Sequence, residues 1–85
     1  FSAIISGITN FGIFVKITDI LAEGLVRLRD LDDDYYIHDE KNYAIVGKRT
    51  KKQFRLGDKI QVKLIRVDEE RSELDFTILD SKEYK

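Results

Sequence analysis

Five short stretches of this 85-residue sequence have the pattern of β-strands, and no convincing helix separates them. Isoleucine, valine and phenylalanine dominate the first two, and apolar side chains alternate with polar ones in the last two. The predicted strands are residues 1–9, 11–17, 23–28, 59–67 and 73–79. Because parallel neighbours need long, usually helical, crossovers, these strands predict an all-β antiparallel sheet. Closure removes the sheet edges that invite aggregation, so we predict a closed or partly closed five-stranded barrel.

A long segment, residues 32–57, separates the third predicted strand from the fourth. Apolar and aromatic side chains recur along it: Tyr35, Tyr36, Tyr43, Ile45, Val46 and Phe54. A structureless loop of this length is unusual in a compact domain, so we expect an inserted hairpin or packed loop. A short helical turn is expected over Leu28 to Leu31. The domain is predicted to span residues 1–80, and residues 81–85 to form a tail that begins a disordered extension.

The composition excludes several classes of protein. Without cysteine the chain has no disulfide and no cysteine-rich zinc site, and a reducing compartment, the cytoplasm, is its natural setting. No apolar run approaches the ~20 residues that span a bilayer, so no membrane association is expected. The chain begins at Phe1 and contains no methionine, so we interpret it as a domain of a longer protein.

The net charge of −1 hides a strong asymmetry along the chain. Six acids and no Lys or Arg lie between Asp30 and Glu40. Nine Lys or Arg residues and a single acid, Asp58, lie between Lys41 and Arg66. This distribution allows one acidic and one basic face, but it equally allows a solvated loop of mixed charge.

Functional groups for catalysis are scarce. Nucleophilic catalysis needs a nucleophile beside an oriented base, and the chain offers no cysteine and a single histidine, His38. The acidic run from Asp32 to Asp34 lacks the alternation and the glycine of a calcium loop, and a solvated turn is the simpler interpretation. The five glycines are scattered and form no phosphate-binding loop. We therefore expect no catalytic residue, no metal site and no cofactor in this domain.

Binding is the function that remains. Five-stranded barrels of the OB type are the leading small example of the predicted architecture, and they commonly bind oligonucleotides on one face. Single-stranded nucleic acid is typically held by aromatic side chains that stack on bases within a basic groove. The candidates on the second and third strands are Phe11, Phe14, Lys16 and Arg27. Alternatively, both phenylalanines are core residues and Arg27 is a surface charge with its stem packed on a neighbour.

Phe11 and Phe14 have a spacing that strict strand alternation places on opposite faces. We predict that Gly12 permits a bulge or a strong local twist just after the preceding turn, and that both rings thereby reach one face. Ile13 and Val15 are then expected to point into the barrel.

A family resemblance rests on three stretches, "ISGITNFGIFVKI", "EGLVRLRDL" and "LGDKIQVKLIRVDEERSELDFTIL". Their order and spacing resemble the S1 RNA-binding domain, an OB-fold family, over roughly residues 1–31 and 55–79. The insert "LDDDYYIHDEKNYAIVGKRTKKQFRLGD" resembles the segment found in the C-terminal S1 domain of the ribonuclease R family of processive 3′→5′ exoribonucleases. Its matching pieces are the double tyrosine after an acidic run, "VGKRT" and "FRLGD".

The resemblance implies an RNA-binding face on the barrel. Its expected members in this chain are Phe11, Phe14, Arg27, Asp68 and Arg71. Many S1 domains carry histidine at the position of Arg27, and arginine keeps the ability to stack on a base or pair with phosphate. Glu73 stands where many relatives carry a basic residue. Four basic residues of the insert are candidates for additional phosphate contacts: Lys48, Arg49, Lys51 and Lys52. Alternatively, they solvate a loop or face neighbouring domains of the parent protein.

The sequence and the resemblance together predict a module that binds single-stranded RNA with little sequence preference. The resemblance implies a parent hydrolase, a 3′→5′ exoribonuclease that uses Mg²⁺ in a catalytic domain outside this chain. The expected partners are RNA and the catalytic and other RNA-binding domains of that same parent. Two alternatives stay open: an S1 domain of a translation or transcription factor, and a protein-docking barrel without RNA binding.

Overall fold

All five predicted strands are present in the computed structural model, which describes residues 1–79. Three further strands lie between the third and the fourth of them. In chain order the strands are β1 (Ser2–Ile8), β2 (Gly12–Ile17), β3 (Ala22–Arg27), β4 (Tyr36–Asp39), β5 (Ala44–Gly47), β6 (Gln53–Arg55), β7 (Lys59–Asp68) and β8 (Glu73–Ile78). The expected helical turn is a 3-10 turn over Leu28–Asp30. The predicted tail, residues 81–85, lies outside the described residues, as does residue 80.

The barrel closes in the strand order β1-β2-β3-β8-β7, with β7 paired back to β1. This arrangement confirms an all-β fold with five strands and is consistent with the OB type. The prediction that every neighbouring pair is antiparallel is wrong, because β3 and β8 run parallel through Leu25–Asp75 and Val26–Phe76. The physical reason is one of parity: strand direction cannot alternate around a closed ring with an odd number of strands. One parallel seam is therefore unavoidable.

The barrel interior is filled by alternate residues of the five strands. Its fully or almost fully buried side chains are Ala3, Ile5, Ile13, Val15, Ile17, Val26, Val62 and Phe76. Phe76 is the largest of them, and its ring lies over Gly24 of the neighbouring strand. A Cβ atom at Gly24 would overlap that ring and would lie 2.8 Å from the carbonyl oxygen of Leu74. Glycine is thus what allows β3 and β8 to pack closely at the parallel seam.

The insert forms an antiparallel three-stranded sheet in the order β4-β5-β6, where a hairpin or packed loop was predicted. It has no separate core, because Ile45 of its central strand is fully buried within the barrel cluster. Tyr36 and Phe54 pack against the same cluster, with ring centroids 5.8 Å apart. The insert and the barrel therefore share one hydrophobic core.

The carboxylate of Asp34 holds the turn between β5 and β6. It accepts hydrogen bonds from the backbone N–H groups of Tyr35, Arg49 and Thr50 and from the Thr50 hydroxyl, at 2.6 to 3.0 Å for the shortest contact of each. Removal from water raises the pKa of Asp34, but the hydrogen bonds from Thr50, Arg49 and Tyr35 outweigh it, and the pKa lies well below its ordinary value. A Cβ atom at Gly47 would lie 2.5 Å from Asp34 Oδ2, so glycine leaves room for the carboxylate.

Asp33 joins the acidic run to the basic segment that follows it in the sequence. Lys52 Nζ lies 2.9 Å from Asp33 Oδ2, and the Tyr36 hydroxyl donates to the same carboxylate at 3.0 Å. Burial and this hydrogen bond raise the pKa of Tyr36 to about 12. The Arg49 guanidinium donates to the Asp33 carbonyl oxygen at 2.6 Å. At these residues the acidic and basic side chains of the insert pair with each other. This pairing agrees with the alternative of a loop with mixed charge.

We expect Gly24→Ala to lower the free energy of unfolding by about 1–3 kcal/mol, because the new methyl group must displace the Phe76 ring or the Leu74 carbonyl. Gly7→Ala is the matched control, since a Cβ atom there meets Phe14 at an ordinary 3.4 Å. Its expected change is within about 1 kcal/mol. Urea denaturation of both variants checks the prediction, and equal stabilities would contradict the close packing at the seam.

Acid is expected to destabilise the fold partly through Asp34. Its pKa in the folded chain lies below the ordinary 3.8, so its ionised form stabilises the fold above about pH 5. That contribution is lost as the pH falls toward the folded value. Urea denaturation between about pH 7 and pH 2 should show a shallower loss for Asp34→Asn than for the native chain. Asp32→Asn serves as control, because Asp32 accepts no hydrogen bond within residues 1–79 and should leave the native profile unchanged.

Candidate nucleic-acid interface

Phe11 and Phe14 are both exposed on one face, as predicted, with 55% and 39% of their surface accessible. Their rings touch edge to face, with centroids 6.3 Å apart and planes at 86°. Ile13 and Val15 are fully buried in the barrel, also as predicted. The interpretation of the two phenylalanines as core residues is therefore wrong.

The predicted bulge at Gly12 is not where the chain departs from regular pairing. Gly12 pairs with Arg27 at the start of an uninterrupted β2–β3 ladder, and the register shift lies in β1, between Ile5 and Gly7. Phe11 does not follow the alternation of β2 because it lies before the strand begins. It belongs to a turn in which the backbone N–H groups of Phe11 and Gly12 donate to the Thr9 hydroxyl at 3.2 and 3.1 Å. The turn, rather than a bulge, places Phe11 beside Phe14.

Lys16 lies two residues beyond Phe14 and faces outward with it, as the sequence predicted. Its ammonium group lies 3.9 Å from the Glu23 carboxylate on β3, and both side chains are about two-thirds exposed. Such an exposed pair is weak and screened by salt, so Lys16 is free to exchange Glu23 for a phosphate.

Arg27 lies at the end of β3, where its guanidinium is 3.5 Å from Asp75 and 4.0 Å from Glu73. Asp75 is buried, and its other oxygen accepts from Arg66 at 2.8 Å. This hydrogen bond and the charge of Asp75 raise the pKa of Arg66. The contacts of Arg27 are ionic and too long for hydrogen bonds, so its terminal N–H groups remain available to donate hydrogen bonds to a phosphate.

Asp68 is the last residue of β7, and Arg71 lies in the turn between β7 and β8. Asp68 accepts from the Arg71 backbone N–H at 3.3 Å, and its carboxylate lies 3.9 Å from the Arg71 guanidinium. The turn borders a cleft of about 600 Å³ whose lining includes four arginines, Arg27, Arg29, Arg66 and Arg71. We name this the arginine cleft. Asp68 and two glutamates of the turn also line it, so the cleft has mixed charge.

Sequence reasoning missed Arg29 and Arg66 as members of this surface. Strict alternation along β7 would put Arg66 on the inner face with Val62. The register shift between Leu64 and Arg66 adds one residue, which moves Arg66 to the outer face opposite Asp75. No signal in the sequence marks that bulge.

A second cleft, of about 510 Å³, lies between the barrel and the insert. Phe11, Arg27 and Arg29 line it from the barrel, and Tyr35 lines it from the insert. We name this the tyrosine cleft. Tyr35 is 73% exposed and was not among the predicted site residues, although the double tyrosine had marked the segment.

The four basic candidates of the insert divide into two pairs. Lys48 and Lys51 are exposed and form no ion pair within residues 1–79. Arg49 and Lys52 instead bind the acidic run at Asp33. Contacts of any of the four with phosphate stay a prediction.

No group of three or more His, Cys, Asp or Glu side chains in residues 1–79 is arranged to hold a metal ion. Within the same residues no helix is long and apolar enough to cross a membrane.

Asp75→Asn is expected to lower the free energy of unfolding by about 3 kcal/mol, because it leaves the largely buried Arg27 without its closer counter-charge. Glu73→Gln is the matched control on the same strand. Glu73 is half exposed and 4.0 Å from Arg27, so its loss should cost less than about 1 kcal/mol. Thermal and urea denaturation of the two variants test this ranking, and the reverse order would show that Asp75 does not anchor Arg27.

Solved structures of two ribonuclease R forms share this fold. The chain superimposes on the apo form of Mycoplasma genitalium RNase R with a TM-score of 0.84 and 30% identity, over 93% of this chain and 12% of that one. It matches the same enzyme in complex with ribose-methylated single-stranded RNA equally well.

Sequence comparison gives the same result. The chain is 46% identical to ribonuclease R of Aquifex aeolicus over 98% of its length, and 34% identical to that of Escherichia coli over 96%. It spans only 12% and 10% of those relatives. The family model of the S1 RNA-binding domain matches residues 1–79. The chain therefore belongs to the S1 RNA-binding domain family and is similar to the S1 segment of ribonuclease R.

Proposed function

We propose that this chain is the single-stranded-RNA-binding module of a 3′→5′ exoribonuclease of the ribonuclease R type, built on an OB-type barrel. The observation that carries the proposal is the pair of exposed, touching phenylalanines on the barrel face, beside Lys16 and Arg27. Exposed aromatic pairs are uncommon on small domains, and aromatic stacking within a basic groove is the usual way to hold single strands.

The geometry supports binding of successive bases. The Phe11 and Phe14 rings lie nearly perpendicular, so two bases stacked on them have perpendicular planes and the strand must turn between them. Lys16 on β2, Arg27 at the end of β3 and Arg71 in the β7–β8 turn supply donors for phosphates or ribose hydroxyls. Asp68 accepts hydrogen bonds and orients Arg71. These contacts engage the backbone and the base faces, which carry little sequence information.

The affinity of the isolated domain is expected to be weak. Two stacked bases contribute about 2–6 kcal/mol in total, whereas micromolar binding needs about 8 kcal/mol. Connection to other RNA-binding domains of one parent chain raises the effective concentration of the strand and makes up the difference.

Chemistry is assigned to the parent protein rather than to this domain. The chain spans about a tenth of its ribonuclease R relatives, and a catalytic domain with Mg²⁺ is proposed to lie outside it. We propose a cytoplasmic location for the whole protein. Lys48 and Lys51 are free either to contact RNA or to face the other domains of the parent.

A protein-docking barrel without RNA binding is the second candidate. The observation that favours it is the pair of carboxylates, Glu73 and Asp75, beside Arg27, which offset a charge that RNA binding would use. The similarity to ribonuclease R argues against a third candidate, a domain of a translation or transcription factor.

Titration of a labelled oligo(A) distinguishes the first two candidates. If Lys16, Arg27 and Arg71 each contact one phosphate, a fourfold rise in salt weakens binding about twentyfold. Phe14→Ala should weaken binding by about 1–3 kcal/mol through the loss of one stacked base.

Leu21→Ala is the control for Phe14→Ala. Leu21 is 93% exposed and lies in the turn at the opposite end of the β2–β3 hairpin from Phe11, so its loss should not change RNA affinity. Binding that does not respond to salt, or a Phe14→Ala variant that binds like the native chain, would refute the proposed function.

A further inference from the structure

We infer that the tyrosine cleft is a binding site for one additional nucleotide, in which a base stacks on Tyr35 of the insert and faces Phe11 of the barrel. This inference rests on the proposed function and extends the RNA-binding surface from the barrel to the inserted sheet. It also gives Tyr35, the first residue of the double tyrosine, a function that RNA binding by the barrel face alone does not explain.

The two neighbouring tyrosines have opposite environments. Tyr36 packs against Phe54 and the barrel core, and its hydroxyl donates to Asp33 at 3.0 Å. Tyr35 is 73% exposed, and its ring forms no aromatic pair within residues 1–79. The fold therefore accounts for Tyr36 and leaves the ring of Tyr35 open to a ligand.

The backbone of Tyr35 is nevertheless fixed on both sides. Its N–H donates to the Asp34 carboxylate at 2.6 Å, and its carbonyl oxygen accepts from the Lys48 N–H at 2.8 Å. Asp34 is itself held by Arg49 and Thr50. A rigid backbone that presents a large, exposed ring lowers the entropy cost of binding, which is typical of recognition sites.

The walls of the cleft suit a nucleotide in both size and chemistry. Its volume of about 510 Å³ lies within the usual range for small-ligand sites, and Phe11 and Tyr35 supply two aromatic walls. Arg27 and Arg29 supply positive charge for a phosphate. The Asp34 carboxylate is the acid in the lining, and its oxygens are already occupied by hydrogen bonds from Tyr35, Arg49 and Thr50.

The tyrosine cleft and the arginine cleft share Arg27 and Arg29. A strand that stacks on Tyr35 can therefore continue past these arginines toward Arg71 in the β7–β8 turn, in a cleft that acidic side chains also line. Arg29 is exposed and forms no ion pair within residues 1–79, so its guanidinium is available to the phosphate between the two clefts.

Oligo(A) titration of tyrosine variants in the full 85-residue chain tests the inference. Tyr35→Ala should weaken binding about tenfold, whereas Tyr35→Phe, which keeps the stacking ring, should bind like the native chain. Tyr43→Ala is the matched control: Tyr43 belongs to the same insert and is 67% exposed, but it lines neither cleft. Native affinity for Tyr35→Ala, or an equal loss for both alanine variants, would overturn the inference.

A crosslinking experiment on the native chain gives a result that does not depend on the folding of a variant. A uridine oligomer with one 5-iodouridine is irradiated on the protein, and trypsin then releases residues 30–41, which contain Tyr35, separately from residues 42–48, which contain Tyr43. We expect an adduct on Tyr35. Adducts confined to other peptides would overturn the inference.

The outcomes also separate the inference from the proposed function. If Phe14→Ala weakens binding and Tyr35→Ala does not, the tyrosine cleft is not a nucleotide site and the barrel face remains the RNA-binding surface. If the native chain shows no salt-sensitive binding to RNA at all, the proposed function fails and the inference fails with it.

Discussion

Closure of a barrel from five strands requires one pair of parallel neighbours, and the rest of this structure depends on that seam. The seam joins β3 to β8 at Leu25–Asp75 and Val26–Phe76. On its inner side Gly24 admits the Phe76 ring, which completes the core. On its outer side the buried carboxylate of Asp75 lies between two arginines of neighbouring strands. The same contact therefore closes the barrel and organises the charges on its surface.

The position of Arg27 follows from this seam. Its guanidinium is held by charge and not by hydrogen bonds, so it is oriented and still able to donate. The exposure of the phenylalanines has a different cause. The turn held by the Thr9 hydroxyl places Phe11 before the strand begins and therefore beside Phe14. Two independent local features thus place aromatic and basic groups next to one another. The insert adds a third, since Asp34 fixes the backbone that presents Tyr35.

The sequence predicted what depends on local pattern. Alternation and β-branched residues gave the five barrel strands, the inward direction of Ile13 and Val15, and the outward direction of Lys16. Features set by long-range geometry could not be predicted: which two strands form the parallel seam, the bulge that turns Arg66 outward, and the pairing of Arg49 and Lys52 with Asp33. The sequence likewise could not distinguish Tyr35 from Tyr36, because only the folded structure shows that Tyr36 packs against the core and Tyr35 does not.

The pairing of β1 with β7 has a consequence for how the chain folds as it is synthesised. β1 begins at Ser2, but its second neighbour does not begin until Lys59, and the Val62 N–H donates to the Phe1 carbonyl oxygen at 2.8 Å. One edge of the first hairpin therefore stays unsatisfied while most of the domain is translated. Such non-local closure slows folding and leaves a strand edge open to incorrect pairing until β7 has been synthesised.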